Sequence, residues 1–417
     1  MTAVENERKS IDRTHPAAKA PSDRQGTSLT QDAWRRLRRN RVAMVSLGLL
    51  VAVAVLAVLT PLLPLAPPDR IQTRLKFMPP SGPLLERGFV FDTDALASAT
   101  QRATELQPEV DRATAKLSAP RLSEDAAKEA AADYRRLITM QRGLTQKAYR
   151  DAGYPDLGPG ARQMVQLRLA MFGEWQFGPL AGRDKLGRDI LSRIFWGGRV
   201  SLIVGLVATL VSLAIGVTYG MISGYAGGWV DDAMMRVVDV LYSVPFIFVV
   251  IFIITVISAD EWKATLEFYG INRIVIFYVV VGAIYWLTMS RVVRGQVLSL
   301  KNEPFVEAAR AVGVSHTAIV FRHILPNLFS IVLVYLTLTI PRVILFEAFL
   351  SFLGLGVEPP DVSWGLLANE GIKVITPVKV YWWLILFPSL AIGMTLFALN
   401  FLGDGLRDAF DPRLKDQ

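Results

Sequence analysis

Six apolar runs dominate this 417-residue chain, each close to the ~20 residues a helix needs to cross a bilayer. They cover residues 42–65, 201–222, 237–258, 274–289, 331–355 and 380–402, the fourth being the shortest. A soluble protein can bury one or two such helices in a core, but not six of this length. With 52% hydrophobic residues, the composition also fits a membrane protein better than a soluble domain. The expected fold is an all-α polytopic membrane protein with six transmembrane helices. A long extracytoplasmic insertion, helical over about 94–150, separates the first two.

Orientation follows from the basic residues beside the spans. Arg35, Arg36, Arg38, Arg39 and Arg41 place residues 1–41 in the cytoplasm as a basic tail. The first thirty residues, rich in Ser, Thr, Ala and charge, read as disordered. No cleavable signal peptide is expected, because the first apolar run follows about forty polar residues and exceeds a signal core. Six crossings return residues 403–417, with Arg407, Arg413 and Lys415, to the cytoplasm, and Arg291, Arg294 and Lys301 put the 290–330 loop there too. The short outer loops carry Asp260, Glu261 and Glu267, then Glu358, Asp361 and Glu370. Arg183, Lys185, Arg188, Arg193 and Arg199 fall outside, in a long translocated segment that the rule exempts. The formal net charge of +8 is therefore accounted for by topology, and the expected surroundings are membrane lipid and not nucleic acid. The chain has no cysteine, which excludes disulfides, thiolate metal sites and cysteine nucleophiles.

Residues 66–200 open on a Pro-rich stretch that reads as extended. Asp94 is the expected cap of a helix to about Leu106, and Pro108 suits the first turn of a following piece. Ser123, with Glu124 and Asp125 behind it, starts another helix through Ala148 that stops near Gly153. The whole reads as a solvated helical hairpin. Residues 186–202 are amphipathic, with Leu186, Ile190, Ile194 and Phe195 on one face and the arginines elsewhere. That pattern predicts an interfacial helix with Trp196 at headgroup level.

Between the fourth and fifth spans lies a short, partly charged stretch, EAARAVGVSHTAIVFRHILP (307–326). Pro304 suits a helix start, Glu307 complements the dipole there, and Ala308 and Ala309 are small enough for close approach by another surface. Gly313 permits the positive φ that ends the helix, Ser315 can cap the next segment, and Pro326 is expected to stop it. Such a compact knob has the size to dock into a groove on a partner. Within the spans, Pro245 predicts a kink. Arg342 and Glu347 are costly in a membrane and are candidates either for the translocation path or for structural pairing with neighbouring helices. They lie about 140° apart around a helix, so they need not pair with each other.

Glu307-Ala308-Ala309, then Gly313, then His323, Ile324, Leu325 and Pro326, resembles the EAA signature of ATP-binding-cassette (ABC) importer permeases, with His323 at a normally apolar position. The ending RHILPN (322–327) resembles the dipeptide/oligopeptide/nickel group. LGRDILSRIFWGGRVSL (186–202), GYAGGWVDDAMMRVVDVLYSVP (224–245), LSFLGLGVEPPDVSWG (350–365) and NFLGDGLRDAFDPR (400–413) match that group in order and resemble its C-type subunit. The insertion at about 90–175 departs from the shorter members.

The resemblance implies a type I importer permease domain over 197–408, set in a bacterial inner membrane. It implies four kinds of partner: a second permease, two ATPase subunits, an extracytoplasmic solute-binding protein and lipid. Glu307, Ala308, Ala309, Gly313, His323, Leu325 and Pro326 would form the ATPase-coupling loop. No GxxxxGK[ST] pattern occurs, nor HExxH, a nucleophile elbow or a Cys/His ligand cluster. The chain is thus expected to be no enzyme and to bind no cofactor, ATP being used by its partners. Two other readings compete: an ion-gradient-driven secondary transporter, and a membrane-anchored scaffold acting through its outer hairpin.

Overall fold

A computed structural model describes residues 29–89, 91–118, 123–257, 273–357, 359 and 361–410. The expected disordered tail before residue 29, the acidic loop at 258–272 and the last residues, 411–417, lie outside these. The basic segment that follows is helical: α1 (Leu29–Arg39) packs Ala33 and Leu37 against Ala43 and Ala409. Asn40 breaks the helix and caps α2 (Arg41–Leu59), its side chain accepting from the Ala43 amide at 3.1 Å.

The described residues are mostly helical, as membrane depth demands of a backbone that must satisfy its own polar groups. Among the described residues four helical stretches are long and apolar enough to span a bilayer: Arg41–Leu62, Ile190–Ala226, His316–Phe352 and Trp383–Phe410. A fifth arises if α8 (Gly228–Ser243) and α9 (Phe246–Ile257) count as one span, bent by 83°. Pro245 does more than kink that segment. Its missing N–H and its ring exclude α geometry for Val244, which is extended (φ −82°, ψ 126°). The remaining apolar run, 274–289, lies inside α10 (Arg273–Leu300).

The centre of the fold is α7 (Ile190–Ala226) against α10. At 1.5 Å per residue its 37 residues reach about 55 Å, well beyond the ~30 Å hydrocarbon layer. The expected interfacial helix at 186–202 is therefore not a separate element: from Ile190 it is the projecting start of the span. Ala208, Ser212, Gly216, Gly220 and Gly224 recur every fourth residue and form a small-residue ridge on α7. A Cβ on Gly216 would lie 2.6 Å from Met289 Cβ, and one on Gly282 would lie 2.6 Å from Ala208 O. The two helices meet backbone to backbone.

The insertion is larger than a hairpin. α3 (Thr93–Glu105) and α4 (Gln107–Leu117) both pack on α5 (Glu124–Asp151), followed by α6 (Pro159–Phe172). The cap of α3 is Asp92, not Asp94: its Oδ1 accepts from the Ala95 amide at 2.7 Å. Pro108 and Ser123 take the expected positions, and Gly153 (φ +90°) follows the end of α5. Two short strands, β1 (Leu85–Arg87) and β2 (Trp175–Phe177), pair antiparallel and close the base. Trp196 is not at a lipid surface. It is 5% exposed, in a cluster with Phe89, Tyr149, Tyr154, Leu157 and Val165 that joins the insertion to α7.

Candidate functional site: the 304–326 loop and the buried charge clusters

At the end of the bundle away from the insertion, Glu303 has extended backbone and α11 (Pro304–Ala311) begins at Pro304. Glu307 is exposed in its first turn, where a carboxylate complements the helix dipole. The helix closes with two bonds, Gly313 N donating to Arg310 O and Val314 N donating to Ala309 O, both at 3.0 Å. This is the Schellman arrangement, and it requires the left-handed residue that Gly313 supplies at φ +83°. A Cβ on Gly313 would meet nothing within 4 Å, so the demand is for backbone conformation and not for space.

Ser315 Oγ then accepts from the Ala318 amide at 3.4 Å and starts the next helical turn. Pro326 does not stop it. Residues His316–Phe352 run as one helical span through a π segment (Ile319–Ile324) into α12 (Leu325–Phe352). The wider turn lets Leu325 N donate to Val320 O, just ahead of the position where proline has no N–H to give. Asn327 Nδ2 donates to His323 O at 2.7 Å.

The loop has an anchored face and a free one. Val306, Ala309, Ile319, Ile324 and Leu328 are buried against Met289, Val293 and Val297 of α10 and Val217 and Met221 of α7. Thus Ala309 packs inward, while Ala308 stays exposed. Phe305, Phe321 and above all Val312, 84% exposed, present apolar surface outward. His323 and Leu325 are half-buried and Pro326 is exposed. Tyr225, at the end of α7, shares a 2.8 Å hydrogen bond with His316 Nδ1. Nearby, Arg294 grips Asp231 with two bonds of 2.6 Å, Ser223 bonds the same carboxylate, and Lys301 Nζ donates to Gly224 O at 2.9 Å. The loop thus touches α7 and α10 directly, and α8 is tied to both through Asp231.

The two charged residues of the fifth span separate. Glu347 is fully buried: Ser351 Oγ donates to it at 2.7 Å and Ser201 Oγ at 3.4 Å, linking α12 to α7. A solute could meet it only after those serines move. Arg342 is exposed, and its carbonyl accepts from Tyr285 Oη at 3.3 Å.

A third cluster was hidden in the sequence. At the insertion end, Asp184 bonds Arg188 at 2.6 Å and Arg193 at 3.0 Å. Glu370, on α13 (Trp364–Ile372), takes Arg188 at 3.0 Å and Arg193 at 2.5 Å, and Asp69 adds a 3.4 Å contact to Arg188. The arginines expected on a polar face are thus buried. Burial alone would raise the Glu370 carboxyl, but Arg193 and Arg188 outweigh it and hold it below its usual range. At Asp69 burial prevails and the carboxyl is raised despite the same arginines. The local signal is an LGRD-x3-R pattern, but its partner lies 177 residues away from Arg193.

Among the described residues no group of three His, Asp or Glu side chains is placed to hold a metal ion. Comparison with known proteins adds two family matches. Residues 216–416 match the family described as binding-protein-dependent transport system inner membrane component. Residues 28–80 match the N-terminal TM domain of oligopeptide transport permease C. The chain is 47% identical over 232 residues to an oligopeptide transport system permease protein of Haemophilus influenzae, an alignment covering 56% of this chain and 70% of the relative. Against the Escherichia coli protein of the same name, identity is 48% over 240 residues, covering 58% and 74%. A Bacillus subtilis dipeptide transport system permease protein is 42% identical over 234 residues, covering 56% and 68%.

Proposed function

We propose a function from one premise: this chain belongs to the family of binding-protein-dependent transport system inner membrane components. It forms half of the transmembrane path of an ABC importer for peptides, in a bacterial inner membrane with both termini cytoplasmic. Six helices cross the membrane, the permease domain being about 197–408. The other half is a second, similar permease; two ATPase subunits hydrolyse ATP, and an extracytoplasmic binding protein delivers the solute.

The observation that carries this reading is the 304–326 loop. Its anchored face ties it to α7 and α10, while Phe305, Glu307, Ala308 and Val312 stand clear of the chain. Such a surface fits a groove on a partner that supplies the force. Closure of the ATPase pair would move the loop, and the α7–α10 unit would carry that movement to the path as a rigid body. Arg342, exposed on α12, is the path residue we favour for a peptide carboxylate. Glu347 would meet a cationic amine only in a conformer that separates it from Ser201.

The test is uptake of a labelled oligopeptide by the assembled complex in proteoliposomes. Uptake should need ATP and the binding protein and survive collapse of the proton gradient. Uptake without ATP that an uncoupler abolishes would replace this reading by a secondary transporter.

A further inference from the structure

We infer that the groove between α2, α6 and α7 is a binding site for an anionic phospholipid, with Arg199 receiving the phosphate and the apolar walls receiving an acyl chain. The groove has a volume of about 320 Å³ and is open on one side. Ala54 and Val58 of α2, Met164 of α6, and Ile203 and Leu206 of α7 form its walls. Arg199 is the one charged residue in its lining.

Arg199 differs from the other arginines around it. Arg162 donates to Leu157 O at 2.9 Å, Arg168 to Trp175 O at 2.8 Å, and Arg183, Arg188 and Arg193 meet carboxylates. Arg199 is half-buried and lies 5.0 Å from the centre of the Trp196 ring. Among the described residues it makes no hydrogen bond and no ion pair. A guanidinium presents a planar fork of donors that matches a phosphate. One left without an anion beside hydrocarbon is costly.

Depth agrees with the chemistry. Arg199 is nine residues into α7, about 14 Å from its start, and the uninterrupted apolar run begins just after it. That is where a helix some 25 Å longer than the hydrocarbon layer crosses the headgroups. The walls lead from the cation toward the hydrocarbon, which favours a lipid phosphate over a free one. α6 belongs to the insertion, so the insertion itself would complete the site.

The test uses the full chain, delipidated in detergent and followed by native mass spectrometry. It is titrated with phosphatidylglycerol, phosphatidylcholine or inorganic phosphate. Phosphatidylglycerol should bind at least about tenfold more tightly than phosphatidylcholine, and phosphate should not compete. Arg199→Gln should lower phosphatidylglycerol affinity about tenfold. Ile203→Trp, which fills the groove and leaves the cation in place, should do the same and carries the test if Arg199→Gln does not fold. Unchanged binding in the folded variants, equal binding of the two lipids, or displacement by phosphate would overturn the site. So would loss of the lipid on assembly with the second permease, which would make the groove a protein contact.

Discussion

Replacing Gly220 by alanine adds one carbon where α7 and α10 touch. That carbon would lie 2.5 Å from Ser290 O and 2.8 Å from Val293 Cβ, whereas ordinary contact begins near 3.4 Å. The shortfall is about 0.9 Å, and neither neighbour is the free end of a flexible side chain, so the helices must part. Overpacking of this kind costs about 1–3 kcal/mol. A gap of 0.5–1 Å also forfeits a quarter to a half of the dispersion well for the atoms around it. Alanine returns about 0.5–1 kcal/mol through its better helix propensity. The net expectation is a loss of about 1–2 kcal/mol or more. Gly295, on α10 with nothing within 4 Å of its added Cβ, is the control. There only propensity acts, and alanine should stabilise by about 0.5–1 kcal/mol. The assay is the apparent thermal unfolding midpoint of the full chain in detergent. Gly220→Ala should lower it by a few degrees, and Gly295→Ala should leave it unchanged or raise it slightly. Equal midpoints for the two variants would refute a backbone-to-backbone seam.

Glu370→Gln leaves Arg193, 1% exposed, with Asp184 as its remaining carboxylate, and should destabilise by about 1.5–3 kcal/mol in the same assay. Because Glu370 is held below its ordinary value of 4.5, its contribution is complete above that pH and is lost as pH falls through the lower folded value. The wild-type midpoint should therefore drop more steeply than the Glu370→Gln midpoint on acidification below about pH 4.5. Trp196→Ala should cost about 3–5 kcal/mol and speed limited proteolysis of the insertion, since Tyr154 packs on that ring at 5.8 Å.

The sequence was most informative where the deciding residues are local. Pro108, Ser123, Gly313 and Ser315 act on their own turns, and each takes its expected place. Asp92 and not Asp94 caps α3, since either carboxylate two residues apart could reach a first-turn amide and the residue types alone do not choose between them. Pro326 predicts a stop, yet a π turn absorbs the missing N–H. What depends on distant pairing stayed hidden. β1 meets β2 across 88 residues, and Arg193 looks like a surface residue until Glu370 arrives from another helix. The four-residue spacing of Gly216, Gly220 and Gly224 was visible, but its meaning rests on the partner helix α10.

We propose that the 304–326 loop transmits work from a partner ATPase to the path. The ratio of peptide transported to ATP hydrolysed, measured in proteoliposomes holding the complete complex, tests it most directly. Glu307→Lys reverses an exposed charge, and Gly313→Val places a β-branched residue at φ +83°. Both variants should insert and assemble, keep hydrolysing ATP, and transport at least about tenfold less peptide per ATP. A wild-type ratio in both would show that the loop does not carry the coupling.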